Sequence, residues 1–240
     1  MPYHPGAAKY FEEKGFKVDA VKEGAGNGTA SALSFGTGGE SGTYYAFGGV
    51  LASFVSGKSN CKVTALTSGG SQANVEDLTN GNVQLAFVQS DVMNYAYNGQ
   101  RLFDSPVTGF SVVAQLYQEQ VQIVTTNPDI KTVADLAGKK VSIGAAGSGV
   151  YFNAIDVLSA YDLKESDISA VYQSFGDSAE SLKDGKIDAA FIVAGAPTTA
   201  ITDLATAGSV YLVSLDDSHV QSLLSASPYY TAATIKAGTY

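Results

Sequence analysis

The chain of 240 residues has no tryptophan, one cysteine and two histidines, and each scarcity removes a class of chemistry. Cys61 stands alone, so it cannot close an internal disulfide, and there is no CxxC pair or Cys/His cluster. His4 and His219 lie far apart in sequence, which argues against a histidine-built zinc or iron site. Neither adjoins a Gly-Ser turn, as the base of a Ser/His/Asp arrangement would. Basic residues are scarce too: 14 Lys and Arg stand against 23 Asp and Glu, a formal net charge of −9. They are spread thinly, whereas a nucleic-acid binder needs clustered cations to displace phosphate counterions. No apolar run approaches the roughly 20 residues that span a bilayer. The opening Met1-Pro2-Tyr3-His4 is polar, unlike a signal peptide, so an exported form is expected to have lost its leader; a cytoplasmic protein is the alternative. GxSxG elbows, P-loops and a GxGxxG opening a helix are also missing.

What is present suits a packed fold. Hydrophobic residues make up 45% of the chain and charged residues 15%, a globular balance rather than a disordered one. The length fits one large domain or two lobes of about 100 residues each. Residues 5 to 17 read as a short helix, with Pro5 in the first turn and Gly15 placed to stop it. A linker is expected from Glu23 to Ala30, whose small residues bury little surface. Its Asn27-Gly28-Thr29 matches a glycosylation sequon in form only.

Beyond it, strand-like and helix-like segments alternate. Ala32 to Phe35, Val63 to Leu66 and Gln84 to Val88 read as strands, each followed by a polar turn and a helix (Tyr44 to Val55, Gln72 to Asn80, and one after Asp91). The second half repeats the pattern: Val121 to Thr125 and Val141 to Gly144 as strands, Thr132 to Leu136 as a short helix, a helix through Leu158, and Ala189 to Val193 as a strand before another helix. This predicts an α/β fold of two lobes with largely parallel sheets.

In open α/β sheets ligands sit beyond the carboxyl ends of the strands. There the first N–H groups of the next helix are unpaired and the helix dipole favours negative charge. Four turns join that placement to Gly and polar side chains: Thr37-Gly38-Gly39, Ser68-Gly69-Gly70-Ser71, Gln89-Ser90-Asp91 and Gly147-Ser148-Gly149. Singly, each is an ordinary helix cap worth about 1 kcal/mol. Together, spread over both halves, they point to a shared anion-binding cleft. Thr37 to Gly42 looks superficially like a phosphate loop but lacks the following Lys. Arg101, in a loop-like NGQRLF stretch, is expected at the surface, which leaves backbone N–H groups and hydroxyls to hold a carboxylate. Tyr44 and Tyr45 could line a pocket; for Tyr45, Phe47 and Phe54 core packing is the plainer expectation.

Further segments carry a family resemblance. They are FGTGGESGTYYAFGG at 35–49, TSGGSQANVEDL at 67–78, LAFVQSD at 85–91, LYQEQVQIV at 116–124, DLAGKKVSIGAAGSG at 135–149, LKDGKIDAAFIVAGAPT at 182–198 and YYTAATIKAGTY at 229–240. In order and spacing, Leu33 to Tyr240 resembles the TAXI family of solute-binding proteins, which serve TRAP transporters. The resemblance implies a two-lobed fold of the type II periplasmic-binding-protein kind. It also implies an interlobe cleft for glutamate, glutamine or a related small acid, membrane transporter subunits as partners, an extracytoplasmic setting, a monomer, no cofactor, no metal and no catalysis.

Matched motif by motif, it nominates Thr37, Gly38, Gly39 and Tyr44 from the first turn, Ser68, Ser71 and Asn74 from the second, and Gln89 and Asp91 from the third. Glu119, where the chain crosses between lobes, would pair with a ligand ammonium. The second lobe would supply Ser148, Gly149, Phe175, Ala194 and Gly195. Asp91 has a second reading, as a helix cap that would repel a carboxylate.

One departure stands out. PYHPGAAKYFEEKGF at 2–16 resembles the segment that usually ends such proteins, and the family normally continues about fifty residues past AGTY. The expectation is a circularly permuted, shortened, engineered chain: 1–22 as the displaced helix of lobe one, 23–30 as linker, 31–116 as lobe one, 117–213 as lobe two, and 214–240 as a return segment. The rival readings are a ligand-sensing module made from such a protein and a small α/β enzyme.

Overall fold

The computed structural model describes residues 1–21 and 30–240. Apart from Ala30, the expected linker lies outside them, as does the Asn27-Gly28-Thr29 triplet. The chain opens with α1 (Pro5–Glu13), capped by His4, whose Nδ1 accepts the Gly6 N–H at 3.1 Å. Gly15, at φ +86°, ends it sooner than expected. Tyr3 makes parallel bridges with both Ala20 and Val112.

The first lobe follows as β1 (Ala32–Gly36), α2 (Thr43–Lys58), β2 (Lys62–Leu66), α3 (Ser71–Thr79), β3 (Leu85–Ala86) and α4 (Ser90–Asn98). Its sheet has the order β2-β1-β3, parallel throughout, with Phe35 opposite Ala65 on one side and Leu85 on the other. Phe35, Ala52, Val63 and Phe87 form one core. Tyr44 and Phe47 pack against that core, each ring stacked on Phe87. The core expectation holds for Phe47 but fails for its neighbours: Phe54 is 62% exposed and Tyr45 36%. At 100° per residue, Phe54 falls beside the exposed Val50, opposite the buried Gly48 and Ala52. The α2 sequence is apolar on all sides, so its pattern could not show which face turns inward.

The second lobe comprises β4 (Gln120–Thr125), β5 (Lys140–Ser142), α5 (Val150–Ala160), β6 (Ser169–Val171), α6 (Phe175–Lys183), β7 (Ala189–Ala194), α7 (Thr199–Ala207), β8 (Tyr211–Leu212) and α8 (Asp217–Ala226). The sheet order is β6-β5-β7-β4-β8. All six residues of β7 are buried, as a central strand covered on both faces requires. Separate cores fill the two sides, one around Phe191, Leu136 and Leu158, the other around Ile192, Ile201 and Leu182. The expected parallel pattern holds for β6-β5-β7, but β4 runs antiparallel to β7 and β8. Its chain arrives directly from the first lobe rather than through a strand–helix crossover, which is what parallel neighbours need. A further small core joins the lobes: Phe152 of α5 packs with Val75, Val92, Tyr95, Ala96 and Phe103.

Candidate interlobe ligand site

The turns that leave the carboxyl ends of the strands in one lobe meet those of the other. The Ala73 N–H donates to the Gly147 carbonyl at 3.0 Å, and the Gly195 N–H donates to Thr43 Oγ1 at 3.1 Å. A Cβ on Gly69 would lie 2.7 Å from the Ala146 carbonyl oxygen, and one on Gly42 would lie 3.4 Å from the Phe175 ring. The lobes are closed on each other, and the nominated residues lie along that seam or just behind it.

Three of them are bound into the first lobe. The Thr37 hydroxyl donates to the Leu66 carbonyl at 2.6 Å, so it ties β1 to β2. Ser68 Oγ donates to the Thr37 carbonyl at 3.0 Å and accepts the Gly70 N–H at 3.1 Å. Asn74, fully buried, donates to the Thr37 and Phe87 carbonyls, each at 2.7 Å, while its Oδ1 has no partner. These bonds complete the ends of the sheet. Gly38 packs against the Tyr44 side chain, whereas Gly39 has open space beside it.

Tyr44, Ser71, Gln89, Asp91 and Glu119 take part in two polar chains. In the first, Ser71 Oγ accepts the Gln89 N–H at 3.0 Å and lies 3.3 Å from the Tyr44 hydroxyl, which donates to Glu119 Oε2 at 3.2 Å. Burial, with a smaller contribution from Asp91, pushes the Glu119 carboxyl up to about 8 against the opposing Tyr44 hydrogen bond. Burial also raises the Tyr44 hydroxyl well above its ordinary range.

The second chain crosses the seam. Gln89 Nε2 donates to Asn153 Oδ1 at 2.7 Å, and Asn153 Nδ2 donates to Asp91 Oδ2 at 3.0 Å and to the Tyr230 hydroxyl at 2.8 Å. The other Asp91 oxygen accepts the N–H of the next residue, Val92, at 2.8 Å, within the first turn of α4, whose N-cap is Gln89. Burial raises the Asp91 carboxyl, against those hydrogen bonds. A Cβ on Gly149 would sit 2.0 Å from Gln89 Oε1, so only glycine permits this approach at the start of α5. Beside it, Ser148 is 6% exposed and its hydroxyl has no hydrogen-bond partner. Phe175 opens α6, and Ala194 ends β7 next to the Gly195 N–H.

Several participants were not nominated from the sequence. Thr43 is the first residue of α2, directly after its N-cap Gly42, and Asn153 stands four residues after Gly149, the N-cap of α5. Arg101 lies at the surface, as expected, and is paired there. It pairs with Asp156 of α5 at 2.6 Å and lies over the Tyr95 ring at 5.2 Å, and Tyr230 also donates to Asp156, at 2.9 Å. A pairing across 55 positions leaves no local signal. Among the described residues no group of three His, Cys, Asp or Glu stands close enough to hold a metal ion. An open depression of about 440 Å³ is lined only by the second lobe, including Ala145, Tyr172, Ser174, Asp177 and Lys186.

A family model described as the NMT1-like family matches residues 35–240. The chain belongs to the NMT1-like family. Among solved structures, it is similar to the alkanesulfonate-binding protein SsuA from Xanthomonas axonopodis pv. citri bound to MOPS, at 21% identity and a TM-score of 0.52, over 78% of this chain and 61% of that one. It is also similar to an ancestral arginine-binding protein bound to glutamine, at 17% identity and 0.54, over 79% and 80%. A third is the arginine-bound truncated ArgBP from T. maritima, at 17% and 0.54, over 76% and 81%. This NMT1-like chain thus shares the two-lobed fold of periplasmic binding proteins, while spanning 61% of the length of SsuA.

Proposed function

We propose that the chain is an extracytoplasmic solute-binding protein, of the TAXI kind that serves a TRAP transporter, which closes its lobes on a small carboxylate-bearing solute. The observation that supports this best is the pairing, at one seam, of an unpartnered buried hydroxyl (Ser148) with helix N-termini from both lobes. Such termini favour anions, and hinge closure would enclose the solute. Binding of small solutes by structurally similar proteins agrees with the reading.

Residues 31–116 and 117–213 are assigned to the two lobes, with 1–22 belonging to the first. The bridge of Tyr3 to Val112 supports placing the opening segment with the first lobe. A sensing module built on the same frame would keep the binding chemistry.

The rival reading is an α/β enzyme acting at the same seam. Equilibrium dialysis against small acids, followed by mass spectrometry of the recovered ligand, separates the two. One solute held per chain and returned intact supports binding; conversion of the solute to product would overturn it.

A further inference from the structure

We infer that the segment after β8 is a latch on the closed lobes, and that Tyr230 is its positioning residue, holding the two α5 side chains that reach the first lobe. The segment is fastened to the second lobe at both ends. At its start Asp216 caps α8 and accepts the Tyr161 hydroxyl at 2.9 Å, and Leu223 packs against the core around Phe191. At its end the Tyr240 hydroxyl donates to Gln122 of β4 and accepts the Thr198 N–H at 3.0 Å. Between these anchors, three consecutive residues reach elsewhere. Tyr229 meets the Tyr95 ring of α4 edge-on at 6.2 Å, and Tyr230 bonds to α5. Thr231 Oγ1 accepts the side-chain N–H of Gln118, just before β4, at 2.8 Å.

The Tyr230 hydroxyl uses both of its roles. It accepts from Asn153 Nδ2 at 2.8 Å and donates to Asp156 Oδ2 at 2.9 Å. Asn153 and Asp156 stand three positions apart, on one face of α5. Each turns its remaining groups to the first lobe: Asn153 to Gln89 and Asp91, Asp156 to Arg101. One hydroxyl thus fixes two side chains in the rotamers that cross the seam. Without it they would sample others, and ordering them again would oppose closure.

Anchored in this way, the segment travels with the second lobe. When the lobes part, the Tyr95–Tyr229 contact, the Arg101–Asp156 pair and the bonds of Asn153 to Gln89 and Asp91 break. The bonds from Tyr230 to α5 remain. Tyr230 therefore biases the balance between open and closed lobes, and so sets how often the cleft admits or releases a solute. The device depends on the lobes moving apart and not on which solute lies between them.

The test is amide hydrogen exchange, followed by NMR, of the full chain with no solute added. Two N–H groups report the seam: Ala73, which donates to the Gly147 carbonyl, and Gly195, which donates to Thr43 Oγ1. Both bonds break when the lobes part, whereas the buried Ile192 of β7 reports the core of the second lobe. Tyr230→Phe keeps the ring and strands no partner, because Asn153 keeps Gln89 and Asp91 and Asp156 keeps Arg101. The variant should fold, and exchange at Ala73 and Gly195 should become about tenfold faster. Exchange at Ile192 should change by less than about twofold. In an Arg101→Gln background the same substitution should add only about threefold at the seam, since one of the two positioned side chains has already lost its first-lobe partner. Unchanged seam exchange, equal acceleration at Ile192, or the full tenfold in the Arg101→Gln background would each overturn the latch. The solute-binding reading would stand in every case, because no solute enters the measurement.

Discussion

Thr43 Oγ1 accepts the Gly195 N–H at 3.1 Å, so the first turn of α2 in one lobe is bonded to the end of β7 in the other. A Cβ on Gly195 would stand 3.2 Å from that hydroxyl, which leaves little room for anything larger. Thr43→Val keeps the side-chain shape and removes the acceptor. Ligand affinity should fall by about tenfold with little change in melting temperature, because the lost bond belongs to closure rather than to either core. Calorimetry and thermal unfolding of the same sample measure the two effects separately.

The Arg101–Asp156 pair closes the opposite part of the seam, with Tyr230 on the second Asp156 oxygen. The Arg101 side chain is 40% exposed, so the pair adds less than about 1 kcal/mol to global stability. Arg101→Gln should leave unfolding nearly unchanged while enlarging the radius of gyration in small-angle scattering of the free protein. An unchanged scattering profile would show that this pair does not hold the lobes together.

Asn74 and Ser148 should respond in opposite ways. Asn74→Ala would strand the Thr37 and Phe87 carbonyls in a buried site, at about 3 kcal/mol and a loss of roughly 8 °C in melting temperature. The Ser148 hydroxyl has no partner to lose. Ser148→Ala should leave the free protein as stable as before, or slightly more so, and weaken ligand binding at least about tenfold. Thermal unfolding with and without ligand reads both effects.

These contrasts mark what the sequence could and could not convey. The Gly-Ser turns and the β1, β2 and β7 runs were legible because strand, turn and helix start each leave a local pattern. The strands and helices at 169–183 and 211–226 were not identified in advance, although Ser174 caps α6 by accepting the Asp177 N–H at 3.1 Å. That cap has a short sequence signature, Ser-x-x-Asp, which could have found it. Which turn hydroxyls face inward was not legible. Thr37 and Ser148 look alike as turn residues, yet one is bonded to Leu66 from the neighbouring strand and the other has no partner. The antiparallel entry of β4 and the Arg101–Asp156 pair depend on long-range topology, and no window of sequence contains them.

Stability should fall as the pH is raised from about 5 to 8. Unfolded, the Glu119 carboxyl titrates near its ordinary value of 4.5, whereas in the folded chain burial pushes it up to about 8. Between these values the native state binds more protons than the unfolded state, so raising the pH across that window removes stability. Melting temperature should drop by about 9 °C from pH 5 to pH 8, and Glu119→Gln should flatten that slope. Asp91, raised in the same direction by burial, would leave a smaller residual slope in the variant.

The most direct measurement is a thermal-shift screen of the purified chain against amino acids, dicarboxylates and oxoacids. A solute at 100 times its dissociation constant stabilises a fold by about 2.7 kcal/mol, a shift of several degrees. A solute-binding protein with this seam should respond to a narrow set of small carboxylates and ignore the rest. A cooperatively folded sample that responds to none of them would contradict solute capture between the lobes.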